Sequence, residues 1–529
     1  MGANGVSEDD QQLQLQLRHL KTLIDLWPGF IRVTYDKVTW GDEVEYILVN
    51  VDRTNGEVDL SPRNDELLAI LDRDYPGVFE HEAYQYMVES NPKDPFGIEL
   101  ADLASVEGDM KKRRDIISSL LKQNEEVLTL TVLPIEGKDH YGHLISNKSR
   151  YHDLIKKSER IAADQYGMEI NEASMFLDDH IHAAGVCGLQ VTISASDYKK
   201  ACWINDQLIP LGPLMLALTA ATPAVNGKMI DSDTRWYVHG ELTDDRNAQQ
   251  RNDERGIPPR ISTATHYLQN DAMNDRNIHA PAQFVESLIK AGLENAAAEY
   301  FAHVLTRNAL LDTTGKESDD ALRGHLTTFC PHVRIKIPED KIPWRVEFRP
   351  MECQPSDFEN AAFAVSLVMI QQAVLSKIDI QIPMTTIEEN MKKANMKNAV
   401  LEQEFWFFAK GHFEGLATLD GIFNGIDNRW PGFIPLTKSW INNKQQQQSS
   451  KQTGTDTLPP PAEVITHYLN FVSARASGAA STPARWIRTL IESEGEGEGE
   501  GGQLDRGTYY KMIEALRNRD AWAEAIKAQ

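Results

Sequence analysis

Trp40-Gly41-Asp42-Glu43-Val44-Glu45-Tyr46-Ile47-Leu48-Val49 has the composition of a β-strand, rich in aliphatic residues and free of proline. Residues two apart on a strand point to the same side, so Glu43 and Glu45 share one face while the opposite face is apolar. Two like charges side by side on a strand repel each other. Either solvent or a bound divalent cation must offset them, so the stretch predicts a solvated edge strand or one side of a metal site.

Two further stretches, 189–194 and 344–350, alternate polar with apolar side chains in the same way. An antiparallel sheet with helices packed on its apolar face would produce this pattern. We therefore predict an α+β fold whose sheet presents its functional groups on one open face. The polar residues predicted for that face are Glu43, Glu45, Gln190, Thr192, Arg345, Glu347 and Arg349.

Glu82 and Glu89 belong to another strand-like stretch, His81–Glu89. Strict alternation puts these two carboxylates on opposite faces. If both serve one site, a bulge or a bend must interrupt the strand. Without that interruption, only one of them joins the open face.

Clustered carboxylates with interspersed arginines suit a complex of Mg²⁺ with a triphosphate. Carboxylates hold the cations, and planar guanidinium groups hold phosphate oxygens through two parallel hydrogen bonds. Phosphoryl transfer needs this combination because catalysis there consists of positioning and charge neutralisation. The alternative is an ordinary sheet surface covered by salt bridges. No Gly-rich Walker motif occurs in the chain, so it is not a P-loop enzyme.

The composition limits the partners that the protein can have. Its 529 residues include 54 Lys and Arg against 78 Asp and Glu, and the formal net charge of −24 argues against a general binder of nucleic acid or anionic membranes. There is no apolar run long enough to predict a transmembrane helix, and residues 1–16 lack a signal-peptide core. The four cysteines form no Cys-x-x-Cys pair, which favours a reduced, cytoplasmic protein without structural zinc.

The chain is predicted to form a single large catalytic domain over residues 1–529. Two long helices are predicted at 102–123 and 386–408, and the basic run Lys111–Arg114 is interpreted as a solvated helix face. The predicted parts are an N-terminal helix within 1–30 that Trp27-Pro28-Gly29 ends, a catalytic sheet with helices over 31–440, a flexible linker or loop over 441–461 and C-terminal helices over 462–529.

Several motifs occur in an order that resembles one known family. They include Trp40–Tyr46, Leu189-Gln190-Val191-Thr192, Arg235-Trp236, Trp344-Arg345-Val346-Glu347-Phe348-Arg349-Pro350 and Arg475-Ala476-Ser477-Gly478. From about residue 38 to residue 490, the chain resembles the catalytic subunit of eukaryotic-type glutamate–cysteine ligase. The first and fourth of these motifs are highly specific.

The resemblance implies a glutamine-synthetase-like antiparallel sheet with the active site on one face and helices on the other. It implies a ligase of glutathione biosynthesis that uses ATP to phosphorylate the side-chain carboxyl of glutamate, after which an amine attacks the acyl phosphate. Amino acids and ATP would be its small-molecule partners, two or three Mg²⁺ ions its cofactors, and a regulatory subunit is not readable from the sequence. The implied residues are Glu43, Glu45, Glu82, Glu89 and Glu347 for metal, Glu347 with the catalytic Arg345 and Arg349 for ATP, and Arg235, Gln190 and Thr192 for substrate.

The sequence departs from the family's pattern where the amine pocket is expected. It is shortened around 136–172 and 240–285, and Ile181–Gly185, Thr263–His266 and Leu326–Cys330 stand where the family has other motifs. Losing an aromatic and a basic residue from a pocket changes which amine fits. Three interpretations stay open: the family's own activity with drift in tolerant loops, a diverged ligase of the same chemistry acting on another acid or amine, and a non-catalytic regulatory relative.

Overall fold

The computed structural model describes residues 8–132, 186–225, 228–244, 246, 250–251, 256–307, 318–449, 460–493, 498–499, 503–504 and 506–517. Three regions singled out in the sequence lie outside the described residues. They are the shortened stretch 136–172, the rewritten segment Ile181–Gly185 and positions 450–459 of the predicted linker.

The strands of the described residues include those predicted around the acidic stretch. They are β1 Trp40–Asp52, β2 Glu57–Leu60, β3 Phe79–His81, β4 Met87–Ser90, β5 Glu125–Leu128, β6 Leu189–Ser194, β7 Ala224–Val225, β8 Lys228–Met229, β9 Ile261–Ser262, β10 Cys330–Pro331, β11 Val333–Lys336, β12 Arg345–Phe348, β13 Phe405–Ala409, β14 Phe413–Ala417, β15 Glu498–Gly499 and β16 Gln503–Leu504.

The acidic stretch lies in β1, at the centre of the largest sheet in the described part of the chain. The strand order is β11-β12-β6-β1-β4-β3, and β2 and β5 also pair with the long β1. Every pair in this sheet is antiparallel. The prediction of an α+β fold built on an antiparallel sheet is therefore confirmed.

The helices account for most of the remaining described residues. They are α1 Glu8–Phe30, α2 Asn64–Asp74, α3 Leu100–Ala104, α4 Val106–Ser119, α5 Tyr198–Leu208, α6 Leu211–Thr219, α7 Trp236–Leu242, α8 Ala282–Lys290, α9 Asn295–Leu305, α10 Ser318–Thr327, α11 Asp357–Ile370, α12 Met384–Asn395, α13 Ala399–Glu402, α14 Leu419–Asn424, α15 Phe433–Ser449, α16 Pro461–Ala476, α17 Pro483–Ser493 and α18 Arg506–Arg517. The five residues Gln371–Leu375 continue α11 as a π-helical turn.

Helices cover the apolar face of the sheet. Helix α5 packs on β11 and β12, and α11 packs on β6. The apolar side chains that the three central strands supply, such as Val44, Val191 and Val346, are fully buried. Burying a side chain of this size stabilises the fold by roughly 1.5–3 kcal/mol, so the alternating pattern determines which face turns inward. The polar residues at the intervening positions are left on the other face.

A long apolar helical stretch lies in this core. Asp357–Leu375 is long and apolar enough to cross a membrane, but 89% of its most apolar window is buried inside the protein. Such burial is typical of a core helix.

Several predicted boundaries were wrong. Helix α1 continues through Pro28 to Phe30. The long helix at 102–123 is divided at Ser105 into α3 and α4. The helix predicted at 386–408 ends at Asn395. The aromatic run that follows forms β13, which pairs with β14 in a separate hairpin.

Two further predictions about surface segments also need correction. Helix α15 runs to Ser449, so residues 441–449 are helical and are not part of a linker. In the basic run on α4, the side chain of Arg113 is only 2% exposed, and Arg114 pairs with Asp357 at 2.5 Å. Arg113 thus pairs with the sheet residue Asp42 and Arg114 with Asp357 of α11, whereas Lys111 and Lys112 are exposed to solvent as predicted.

Candidate active site

Three carboxylates converge where β1, β3 and β4 meet. The register of β1 with β4 places Glu45 directly opposite Glu89. Glu82 follows the last residue of β3. One ligand oxygen from each of the three side chains lies within 4.8 Å of the others. We call Glu45, Glu82 and Glu89 the carboxylate trio.

A bend brings Glu82 to the same side as Glu89. The stretch 81–89 is divided into β3, which ends at His81, and β4, which begins at Met87. Between them, the backbone N–H of Ala83 donates to Glu82 Oε2 at 2.9 Å, and the backbone N–H of Met87 donates to the carbonyl of Tyr84 at 3.0 Å. The sequence required such an interruption if both carboxylates were to share one site.

Burial and mutual repulsion make it costly to ionise all three carboxylates of the trio. Burial, with the nearby Glu89, raises the pKa of Glu45 to about 7. Burial also raises the pKa of Glu89 well above its usual value, and Glu43 and Glu82 add to that shift. Carboxylates that are all ionised at this spacing need a compensating cation. An all-oxygen donor set of this kind suits Mg²⁺, so the residues present fit the metal that the family resemblance implies.

The second part of the site is a charged cluster around Glu347 on β12. Arg334 Nη2 lies 2.6 Å from Glu347 Oε2, and Arg349 Nη1 lies 2.9 Å from the same oxygen. Lys336 Nζ lies 2.5 Å from Glu347 Oε1. We call Glu347, Arg334, Lys336 and Arg349 the Glu347 cluster.

The cations determine the ionisation of this cluster. Burial alone would raise the pKa of Glu347, but Arg334, Lys336 and Arg349 together hold it well below its usual range. Glu43 is affected differently: burial raises its pKa, and the attraction of Lys336 offsets only part of that rise. Glu347 is therefore held in its ionised form, whereas the nearby cations do not fully compensate the charge of Glu43.

Gln190 connects the carboxylate trio with the Glu347 cluster. Its Nε2 donates to Glu45 Oε1 at 2.8 Å, and its Oε1 accepts a hydrogen bond from Arg349. Gln190 pairs with Glu43 across β6 and β1. The two groups are thus parts of one polar face, as the alternation of the strands predicted.

Arg235 lies beside this face, just before α7. Its Nη2 donates to the carbonyl oxygens of Arg349 and Met351 at 3.2 and 3.1 Å, and its backbone N–H donates to Glu352. A Cβ at Gly188 would lie 2.6 Å from that Nη2, so the guanidinium reaches this position only because residue 188 is glycine. Arg235 also lowers the pKa of Glu45 by its charge.

Thr192 and Arg345 both lie on the predicted face, and Arg345 lies at its margin. Thr192 pairs with Glu347 across β6 and β12, and its Oγ1 is buried without a hydrogen-bond partner among the described residues. Arg345 donates to the carbonyl oxygen of Ile337 at 3.2 Å. Its guanidinium is therefore tied to the backbone beyond the end of β11 and lies outside the Glu347 cluster.

Sequence reasoning missed two members of the Glu347 cluster. Arg334 and Lys336 lie on β11, whose sequence Val333-Arg334-Ile335-Lys336 alternates apolar with basic residues. This is the same period-two signal that identified β12, but four residues are too few to stand out. Pairing with β12 places Arg334 opposite Glu347.

The whole sequence was also compared with known proteins. The family model for glutamate–cysteine ligase matches residues 8–162 and 146–500. The chain belongs to the glutamate–cysteine ligase family.

The relatives within the glutamate–cysteine ligase family are distant but align over most of their length. The human glutamate–cysteine ligase catalytic subunit is 28% identical over 86% of this chain and 85% of its own. The Neurospora crassa glutamate–cysteine ligase is 27% identical over 89% and 84%, and that of Schizosaccharomyces pombe is 29% identical over 78% and 72%. Among solved structures, one similar chain comes from the complex of the prokaryotic ubiquitin-like protein Pup with its ligase PafA. The TM-score is 0.34 at 10% identity, and the match covers 94% of this chain and 80% of the other. This likeness is too distant to bear on activity.

Proposed function

We propose that the protein is an ATP-dependent carboxylate–amine ligase that activates the side-chain carboxyl of glutamate as an acyl phosphate and joins it to the amine of cysteine. The observation that carries this proposal is the convergence of three carboxylates within 4.8 Å, next to a buried glutamate surrounded by cations. Transfer of a phosphoryl group between two anionic reactants requires negative groups to bind metal and positive groups to bind phosphate, side by side. Membership of a ligase family supports the same conclusion.

The carboxylates would hold two or three Mg²⁺ ions. Glu45, Glu82 and Glu89 would bind one, and Glu43 with Glu347 would take part in holding another. When bound, the metal supplies positive charge that neutralises the phosphate oxygens of ATP and of the transferred group. The chain's own task is then to orient the acid and the nucleotide on the sheet face and to exclude water from the acyl phosphate.

The arginines would bind the anionic parts of the substrates. Arg349, which lies 20% exposed between Glu347 and Gln190, would bind phosphate oxygens. Arg235 would bind the α-carboxylate of glutamate, with Gln190 and Thr192 lining the same pocket. Arg345 would act on phosphate at longer range, because its guanidinium is tied to the Ile337 carbonyl.

The proposal is tested by ADP release from purified protein given ATP, Mg²⁺ and glutamate, with and without cysteine. ADP release that depends on both amino acids, with γ-glutamylcysteine identified by mass spectrometry, supports it. Glu82→Gln should lower the rate by at least about a hundredfold, since it removes one member of the carboxylate trio. Glu414→Gln, an exposed change on the distant β14, is the matched control and should be neutral. Wild-type protein that binds ATP but releases no ADP with any amino acid would contradict the proposal and favour a non-catalytic relative.

A second candidate function is the same activation chemistry with a different amine or acid. The observation that favours it is the position of the rewritten segment Leu326–Cys330 at the edge of the site. Arg334 donates to the carbonyl of Thr327 at 3.0 Å and to Cys330 Sγ at 3.5 Å. Changes in this segment therefore act directly on the Glu347 cluster. A panel of amines offered with glutamate distinguishes the two: preferred use of an amine other than cysteine establishes the diverged enzyme.

The remaining parts of the proposal concern the setting of the reaction. The partners would be amino acids and ATP, with no nucleic acid and no membrane, as the net charge of −24 suggests. We place the reaction in the cytoplasm. We also propose a single catalytic domain over 1–529, which predicts one cooperative unfolding transition for the full chain.

A further inference from the structure

The Glu347 cluster holds three cations around a carboxylate that the proposed function assigns to metal. Three cations, Arg334, Lys336 and Arg349, face one buried carboxylate. The ammonium of Lys336 also lies 3.9 Å from Glu43 Oε1, so it lies between Glu43 and Glu347. These are two of the carboxylates that the proposed function assigns to metal. A divalent cation held by both would meet this ammonium at close range, and one positive group must move away.

Arg334 and Arg349 are held by other contacts. Arg334 is 9% exposed and donates to the carbonyl oxygens of Thr327 and Phe329 as well as to Glu347. Arg349 is held by Gln190 in addition to Glu347. Moving either guanidinium would break several hydrogen bonds at once, with the penalty that unsatisfied buried donors carry.

Lys336 is the cation that can move. Its side chain is 25% exposed, and among the described residues its ammonium contacts only Glu347 and Glu43. A lysine side chain is a flexible four-carbon stem with a compact charge at its end, so it can turn about its own bonds without disturbing the strand. The lysine ammonium forms its strongest hydrogen bonds with anionic oxygens, such as those of a carboxylate or a phosphate.

We infer that Lys336 is a built-in counter-ion that holds the place between Glu43 and Glu347 until a metal–nucleotide complex arrives, and that its ammonium then transfers from the carboxylates to a phosphate of the nucleotide. Lys336 thereby makes metal and nucleotide bind together in preference to either alone. This inference rests on the proposed function, because it takes Glu43 and Glu347 as metal ligands.

Metal binding measured without catalysis tests the inference. Mn²⁺ is used in place of Mg²⁺, and its affinity is followed by electron paramagnetic resonance with and without a non-hydrolysable ATP analogue. Lys336→Met should bind Mn²⁺ about tenfold or more tightly than wild type when no nucleotide is present, because the competing charge is gone. With the analogue bound, the gain should vanish, and the analogue itself should bind about tenfold more weakly, since one charge-assisted hydrogen bond to phosphate is lost.

Controls separate the transfer of Lys336 from a general electrostatic effect. Lys341→Met removes an exposed lysine from the loop between the same two strands and should leave all these affinities at the wild-type values. Lys336→Gln, which keeps a hydrogen-bond donor without the charge, is measured in parallel. The same changes in Mn²⁺ and nucleotide affinity are expected for it, so it replaces Lys336→Met if that variant fails to fold. An equal gain in Mn²⁺ affinity with and without nucleotide, or no gain at all, overturns the inference.

The outcome for Lys336 is distinguishable from that of the proposed function. Wild-type protein that binds neither Mn²⁺ nor nucleotide defeats both. Wild-type protein that binds both and forms product, with variants that show no change in coupling, defeats only the role of Lys336.

Discussion

Loss of the Arg113 guanidinium should destabilise the fold. It should also weaken the contact between the two strands that carry the candidate active site on their other face. Arg113 projects from α4 onto the apolar face of the sheet, where it is 2% exposed. Its Nη2 donates to Asp42 at 2.5 Å, and its Nη1 donates to the carbonyl and hydroxyl of Ser90 at 2.9 and 2.8 Å. Asp42 and Ser90 immediately adjoin Glu43 on β1 and Glu89 on β4. The guanidinium therefore fixes these two strands relative to each other from the side opposite to the active site.

The magnitude follows from what Arg113→Met leaves behind. Asp42 is fully buried, and burial already raises its pKa although Arg113 lowers it. Removing one partner of a buried ion pair costs about 3–5 kcal/mol, because the remaining charge has neither water nor a counter-ion. Replacing both partners, as in Asp42→Asn with Arg113→Met, should recover a good part of that loss.

Urea unfolding followed by circular dichroism measures this prediction. Lys112→Met, an exposed neighbour on the same helix, is the control and should change stability by no more than about 0.5 kcal/mol. The reasoning is refuted if Arg113→Met costs less than about 1 kcal/mol, or if the double variant is as unstable as the single one.

Two further predictions concern acid stability and substrate binding. His332 is fully buried, and burial lowers its pKa to about 4 from 6.5, so its contribution to stability is complete above pH 6.5 and is lost as the pH falls towards 4. By pH 5 the loss of unfolding free energy from this histidine amounts to about 2 kcal/mol. His332→Gln should therefore show a correspondingly smaller fall in the free energy of unfolding between pH 7.5 and pH 5. An equal fall in both proteins would contradict the assignment. Gly188→Ala places a methyl group 2.6 Å from Arg235 Nη2, and the displaced guanidinium should raise the Michaelis constant for glutamate by about tenfold to a hundredfold with little change in melting temperature; unchanged kinetics would show that Arg235 does not bind substrate.

The faces of the strands were predictable because strand periodicity allows no choice. Once Val44 is buried, Glu43 and Glu45 must lie on the other side, and the same parity holds for Glu347 on β12. This argument needs only local sequence. It therefore succeeded for β1, β6 and β12, and it was enough to locate most of the candidate site residues.

The contacts between strands could not be read in the same way. Register determines that Glu45 faces Glu89 and that Arg334 faces Glu347, and it depends on long-range pairing rather than on local pattern. The bend at Glu82 also depends on tertiary contacts, although the need for one was evident. The role of Arg113 was hidden because a buried arginine on a helix rich in lysine and arginine looks like part of a solvated face until its partners are known.

The tertiary environment also explains the wrong assignment at 386–408. Its last four residues belong to the aromatic strand Phe405–Ala409, whose partner, Phe413–Ala417, lies beyond a short turn. In isolation, such an apolar run fits a buried helix as well as a strand. Packing of Phe407 against Trp430 and Phe433, at ring-centroid distances of 5.3 and 5.7 Å, accompanies the strand conformation.

The central claim is that the carboxylates of one sheet face bind the metal ions that hold a nucleotide against an acid. Anomalous diffraction from crystals containing Mn²⁺ and a non-hydrolysable ATP analogue tests it most directly. We expect a Mn²⁺ peak at about 2.1 Å from oxygens of Glu45, Glu82 and Glu89, with the phosphates of the analogue extending towards Arg349. Manganese bound elsewhere, or a nucleotide away from this face, would contradict the account.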